Sequence, residues 1–276
     1  MDLGAYLGRI GHAGAREPTL DTLRAILVRH TDAIAFENLD PLLKWPVRLD
    51  VESLQRKLVR EGRGGYCYEQ NLLLSHALQA LGYSVTGLAA RVLWNAAVAG
   101  AVPPRTHMLL RVDLDGQPWL ADAGFGVLTP TGPLRLKIGE EQATPHEPFR
   151  LLADRNEFVM QAKIHDAWTA LYRFGLQEHL LPDYEVANWY VSTHPESRFV
   201  NGLMAARPAL GRRYTLLNNE FTVHHLDGNT EKRMLASAAE IRAVLEGDFL
   251  LTLPDAPELD SALQRLSGNS KERGFS

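Results

Sequence analysis

The feature that most constrains this chain is a change of period near Tyr83. Before it, apolar residues recur at spacings of three and four, the pattern of a one-faced helix. After it, short alternating runs are broken by Gly and Pro, the pattern of strands. Thr19 is placed to cap a helix with Leu20, Leu23, Leu27 and Ile34 on one face. Asp50 is placed to cap a second with Val51, Leu54 and Leu58. A third is expected over residues 68–81, with Leu74, Ala77, Leu78 and Leu81 inward and Gly82 as its stop. Strands are expected over 85–94, 108–114, 117–122, 150–159 and 168–174. Residues 176–206 read as a helical or irregular connection, 213–226 as strands around Asn218-Asn219, and 237–245 as a short helix. The tail after Pro254 reads as polar and partly frayed. With no internal repeat, this order describes a helical front, a β middle and a mixed back, packed together.

Composition narrows the function classes. Apolar residues make up 45% of 276 positions, enough for a sizeable core, and the net charge of −4 offers nucleic acid no general attraction. No apolar run approaches the roughly 18 residues needed to span a bilayer. The first residues, Met1-Asp2-Leu3-Gly4-Ala5, lack the basic and apolar segments of a signal peptide. A single cysteine permits no internal disulfide, and together these point to a reducing cytoplasm.

That cysteine, Cys67, falls where the third helix should begin, after Gly64-Gly65. Two glycines let the backbone turn sharply and approach a ligand closely. A thiol at a helix N-terminus meets unpaired N–H groups and the positive end of the helix dipole, which favour the thiolate. The same N–H groups suit the oxyanion of an acyl-transfer intermediate. A buried structural thiol is the other reading open to Cys67 alone.

A thiolate nucleophile needs a base, and the base an orienting group. Strand register selects one histidine from ten. Asp115-Gly116 is a two-residue turn signal, because both central positions of a type I′ turn need φ > 0. Leu114 then pairs with Gln117 and Leu109 with Asp122, so His107, two residues from Leu109, shares a face with Asp122. Such diagonal neighbours are about 7–8 Å apart at the backbone, within reach of an imidazole and a carboxylate. A slip of one residue would separate them. A solvated surface His–Asp pair is the alternative. The apolar flanks Met108-Leu109-Leu110 and Trp119-Leu120-Ala121 argue for burial, and Gly124 and Gly126 leave space beside Asp122.

At this point the residues resemble a known family, the arylamine N-acetyltransferases. Residues 63–71 read RGGYCYEQN, similar to its cysteine motif. Residues 105–109 (RTHML) and 120–126 (LADAGFG) are similar to its histidine and aspartate segments. YLGRIG at 6–11, IAFENLD at 34–40 and NWYVSTHPESRF at 188–199 extend the likeness to about residue 255. One departure is Ala35, where the family usually has Pro; a looser turn near the pocket is the expected consequence. The resemblance implies an α+β fold of three domains with a core like that of cysteine proteases. A helical bundle would cover 1–84, a β-barrel 85–190, and a connecting segment with an α/β lid 191–276.

The activity implied is ping-pong acetyl transfer from acetyl-CoA to an arylamine or hydrazine, through Cys67, His107 and Asp122. No bound cofactor, metal, nucleic acid or membrane is implied, and self-association is left open. Phe36, Phe125 and Gly126 are implied substrate contacts, with ordinary packing equally open for the two phenylalanines. Residues 94–105, rich in Gly, Ala and Pro, are a candidate backbone approach to the CoA diphosphate, and Arg198 a candidate phosphate contact. His224-His225 and Ser75-His76 are adjacent pairs that do not share a face, so neither reads as a site. Three other functions remain open: an amide synthase using a carrier-bound acyl chain, a cysteine hydrolase, and a structural metal site at Cys67, His107 and Asp122.

Overall fold

The computed structural model describes residues 1–95 and 102–268. The helical front comprises α1 (Leu3–Arg9), α2 (Leu20–Ala33), the short α3 (Leu39–Leu42) and α4 (Val51–Leu54), and α5 (Cys67–Ala80). The expected caps are in place: Thr19 accepts from the Thr22 N–H and Asp50 from the Ser53 N–H. Helix α4 runs on into a π-helical turn over Gln55–Arg60, whose wider winding buries Lys57 beside Leu58. Gly82, at φ +91, follows the end of α5. One strand, β1 (Phe36–Glu37), interrupts this helical region.

The strands β2 (Ser84–Val92), β3 (Arg105–Leu114), β4 (Gln117–Ala121) and β5 (Leu134–Arg135) begin a seven-stranded sheet. It is completed by β6 (Phe149–Asp154), β7 (Glu157–Ile164) and β8 (Ala167–Phe174). All neighbours are antiparallel in the order β5-β4-β3-β2-β8-β7-β6, and the sheet curls into a nearly closed barrel. Strand β3 serves two cores through its alternation. Met108, Leu110 and Val112 pack with the helical cluster that includes Leu73, Ala77 and Leu78, while Leu109 points to the barrel cluster with Phe149, Leu171 and Tyr172.

The back of the chain adds α6 (Leu181–Thr193), α7 (Arg198–Asn201), β9 (Met204–Ala209), β10 (Arg212–Leu217), β11 (Glu220–His225), β12 (Thr230–Met234), α8 (Ala238–Gly247) and α9 (Pro257–Gly268). A five-stranded antiparallel sheet runs β1-β9-β10-β11-β12, so the front of the chain supplies the edge strand of the rear sheet. The tail expected to fray is helical over Pro257–Gly268. Leu259, Ala262 and Leu263 recur at three and four and are buried, which gives that segment a docking face despite its polar composition. Among the described residues no helix is long and apolar enough to cross a membrane.

Candidate active site

Cys67 opens α5 and is buried. Its position follows from glycines on both sides. A Cβ on Gly64 would collide with the Ala35 carbonyl, and one on Gly65 would stand 2.7 Å from the Glu69 carboxylate. From the other side Gly124 presses on the helix start, where a Cβ would lie 2.6 Å from the Cys67 Cα. Tyr66, the N-cap residue, makes no side-chain bond to the first turn, so the N–H groups there are left open to a ligand. Ala35 lies beside this turn. It is buried, and its carbonyl accepts from the Gly65 N–H at 3.3 Å and from Gln70 Nε2 at 2.9 Å.

The β3–β4 hairpin has the register read from the sequence. Leu114 pairs with Gln117 and Leu110 with Ala121, and Asp115 and Gly116 take φ of 50° and 71°. Continuing that ladder places His107 and Asp122 on one face. His107 Nε2 donates to Asp122 Oδ2 at 2.7 Å, both side chains being almost wholly buried. Nδ1 is the ring nitrogen that this bond leaves over, and the Cys67 side chain is the ring's other polar partner. A β-bulge adds to the aim: Ala90 faces His107 and Arg91 faces Arg105, so Thr106 is an extra residue on β3. The Cys67 Sγ sits 3.6 Å from the Thr106 carbonyl, to which it donates.

The electrostatics favour a charged imidazole. Burial works against the protonated ring, but the Asp122 charge and hydrogen bond, with a further contribution from Cys67, carry the His107 pKa up to about 10. Burial likewise opposes ionisation of Asp122, and the His107 charge with bonds from His107, Asn71 and the Gly124 N–H holds its carboxyl below the usual range.

Two supporting residues had no role assigned from sequence. Asn71 Nδ2 donates to Asp122 Oδ1 at 3.0 Å and to the Met108 carbonyl at 2.7 Å, while its Oδ1 accepts from the Ala123 N–H. Its signal was present, since it lies four residues beyond Cys67 on the same helix face. The Tyr172 ring lies tilted against that of His107, centroids 4.9 Å apart, and burial with the nearby Asp122 charge pushes its hydroxyl pKa up. It reaches the site through the pairing of β8 with β2, strands far apart in sequence, for which no local signal exists.

The other expected contacts are also assembled. The Phe125 ring centroid lies 5.2 Å from that of His107, edge on. Gly126, at φ +86, is close enough to Phe36 that an added Cβ would touch its ring at 3.6 Å. Phe36 and Phe125 keep part of their surface open, whereas His107 and Asp122 are buried. The stretch 94–105 falls largely on residues 96–101, which lie outside the described residues. Arg198 opens α7. His224 and His225 diverge, His224 toward Thr215 and Thr230 and His225 to Glu231 at 2.8 Å. Among the described residues no group of three His, Cys, Asp or Glu side chains is arranged to hold a metal ion.

The chain and its fold have clear relatives. An N-acetyltransferase family profile matches residues 19–258. The chain belongs to the arylamine N-acetyltransferase family. It is 46% identical over 261 residues to the arylamine N-acetyltransferase of Mycobacterium tuberculosis, covering 94% of this chain and 92% of that one. The arylamine N-acetyltransferase of Mycobacterium marinum superposes with a TM-score of 0.93 at 44% identity, over 96% of this chain and all of that one. The same enzyme in complex with CoA gives a TM-score of 0.92, over 96% and 99%. These likenesses make the chain a member of an acyltransferase family with the α+β fold described above.

Proposed function

We propose that this chain transfers an acetyl group from acetyl-CoA to the nitrogen of an arylamine or hydrazine, by a ping-pong route through an acetyl ester of the Cys67 thiol. The observation that carries the reading is the buried His107–Asp122 pair, whose imidazole also interacts with the Cys67 thiol at a helix start. The thiolate attacks the thioester carbonyl while His107 is an imidazolium. Collapse of the tetrahedral oxyanion, held by first-turn N–H groups of α5, breaks the C–S bond to CoA, and His107 gives its proton to the departing thiolate. The acceptor amine then attacks the acetyl-cysteine carbonyl. His107 Nδ1 takes the amine proton, and Cys67 leaves as a thiolate beside the regenerated imidazolium. Asp122 holds the tautomer and offsets the ring's charge throughout. Aromatic amines suit this cycle because their low basicity leaves the attacking nitrogen uncharged at neutral pH. Phe36, Phe125 and Gly126 form the wall against which the acceptor ring lies. A reducing cytoplasm suits an enzyme that must keep its sole thiol free.

Intact-mass measurement after brief exposure to acetyl-CoA without amine tests the reading. One acetyl adduct on Cys67, discharged by an arylamine and absent from Cys67→Ser, is expected. Discharge at a rate independent of added amine would indicate a hydrolase. Acylation only from carrier-bound phosphopantetheine thioesters would indicate an amide synthase.

A further inference from the structure

Beside the start of α5 lies a buried cluster of five charged groups to which the proposed acetyl transfer assigns no step. Lys57 Nζ stands 2.6 Å from Glu69 Oε1 and 2.7 Å from Asp40 Oδ2, with Glu37 Oε1 at 4.0 Å. Arg63 Nη2 bonds Asp40 and lies 3.4 Å from Glu37. Two cations thus face three carboxyls, and each side chain is about nine-tenths buried or more. Glu69 connects the cluster to the site. Its Oε2 accepts from the Tyr66 N–H at 3.1 Å, one residue before Cys67, and packs on Gly65, which has no side chain to brace the turn itself.

We propose that Glu69, held by Lys57, is a positioning residue for Cys67: as a carboxylate it clamps the Gly65-Tyr66 turn that aims the thiol, and when it gains a proton the clamp releases and acylation slows. The inference rests on Cys67 being the nucleophile.

Two observations support a titration under working conditions. Burial pushes the Glu69 carboxyl up, Lys57 pulls it down, and Asp40 and Glu37 push it up again, leaving it at about 7. Protons have a route from outside, because Lys57 and Glu69 line a cleft of about 240 Å³ whose other walls include Trp45, Arg48, Arg56 and Glu61. A neutral acid is also a poorer acceptor for the Tyr66 N–H than a carboxylate, and it leaves the Lys57 ammonium one partner short. The groups facing Glu69 are therefore Lys57 from the π turn, Glu37 from β1, Asp40 from α3, and Arg63 and Tyr66 from the connection to α5.

The test is the rate of Cys67 acetylation by acetyl-CoA, followed by rapid quench and intact mass between about pH 6 and about pH 8, in the native chain and in variants. The native chain is expected to lose rate in a step near neutrality as pH falls. Glu69→Gln keeps the shape but not the ionisation; it is expected to be about tenfold slower at the alkaline end, with donor KM unchanged and no step. Lys57→Met removes the cation that opposes protonation, so the step moves to higher pH. Glu69→Gln combined with Lys57→Met follows Glu69→Gln alone. Melting curves establish that each variant folds, and if Glu69→Gln does not, the direction of the Lys57→Met shift decides. A step that survives in Glu69→Gln, or that stays in place in Lys57→Met, overturns the positioning role while leaving the acetyl-cysteine reading intact. A native chain that takes no acetyl on Cys67 overturns both.

Discussion

The Asp122 carboxylate is divided between two tasks, and a single substitution separates them. Oδ1 accepts from Asn71 Nδ2 and the Gly124 N–H, while Oδ2 accepts a hydrogen bond from His107 Nε2. In Asp122→Asn the two donors at the first position claim the amide oxygen, so the new NH2 group faces His107 Nε2. The ring must then carry its proton on Nδ1, toward Cys67, where it can no longer accept one. Acetylation of Cys67 is expected to slow by about 10³–10⁴-fold with the fold retained, measured by rapid-quench mass spectrometry and circular dichroism. The same residue governs alkaline stability. His107 gains its partner on folding, so its pKa rises from the ordinary 6.5 to about 10. The stabilisation this brings is complete below 6.5 and is lost as pH rises through about 10. Melting temperature should fall across that range, and Asp122→Asn should flatten the fall; an equally steep fall in the variant would assign it to other groups.

At the scale of elements, the site depends on how closely the end of the β3–β4 hairpin meets the start of α5. Gly124 is the contact: an added methyl would meet the Cys67 Cα at 2.6 Å, the Asn71 amide at 2.8 Å and the Cys67 carbonyl at 2.9 Å. Two of these neighbours are backbone and cannot swing aside. Gly124→Ala is therefore expected to lose about 1–3 kcal/mol in urea unfolding and to slow acetylation by parting hairpin from helix. Much of this geometry was legible beforehand. The Thr19, Asp50 and Gly82 boundaries and the Asp115-Gly116 turn are chemistry of a few adjacent residues. The bulge at Thr106 was not legible, because it is a mismatch between two strands and no feature of β3 alone marks it. Helix α9 was missed for a different reason: its apolar stripe is narrow, and the polar residues between dominate the composition.

Across the whole molecule, a buried cation helps tie the rear sheet to the segments beside the barrel. Arg213 on β10 donates through Nε to both oxygens of Glu147 at 2.9 Å and through Nη2 to the Thr129 carbonyl at 3.1 Å. Thr129 Oγ1 in turn accepts from the Gly126 N–H at 2.7 Å, so the tie ends at Gly126. Arg213→Ala leaves Glu147 without its cation and is expected to lose about 3 kcal/mol in chemical unfolding. Arg213→Leu combined with Glu147→Leu should recover much of that loss, since no isolated charge remains; a double variant as weak as the single one would show that the tie acts through packing instead.

The sequence by itself determined the features that act over a few residues: helix faces and caps, the hairpin turn, and hence the shared face of His107 and Asp122. It also located the thiol at a helix start. Only the tertiary structure decided that Phe36 belongs to the edge strand of a sheet built mostly from residues 204–234, that Tyr172 lies against His107, and that Lys57 meets Glu69 beside the start of α5. Period and turn chemistry are set by neighbours along the chain. These meetings depend on a π-helical turn and on pairing between strands far apart in the chain, whose partners no local pattern specifies.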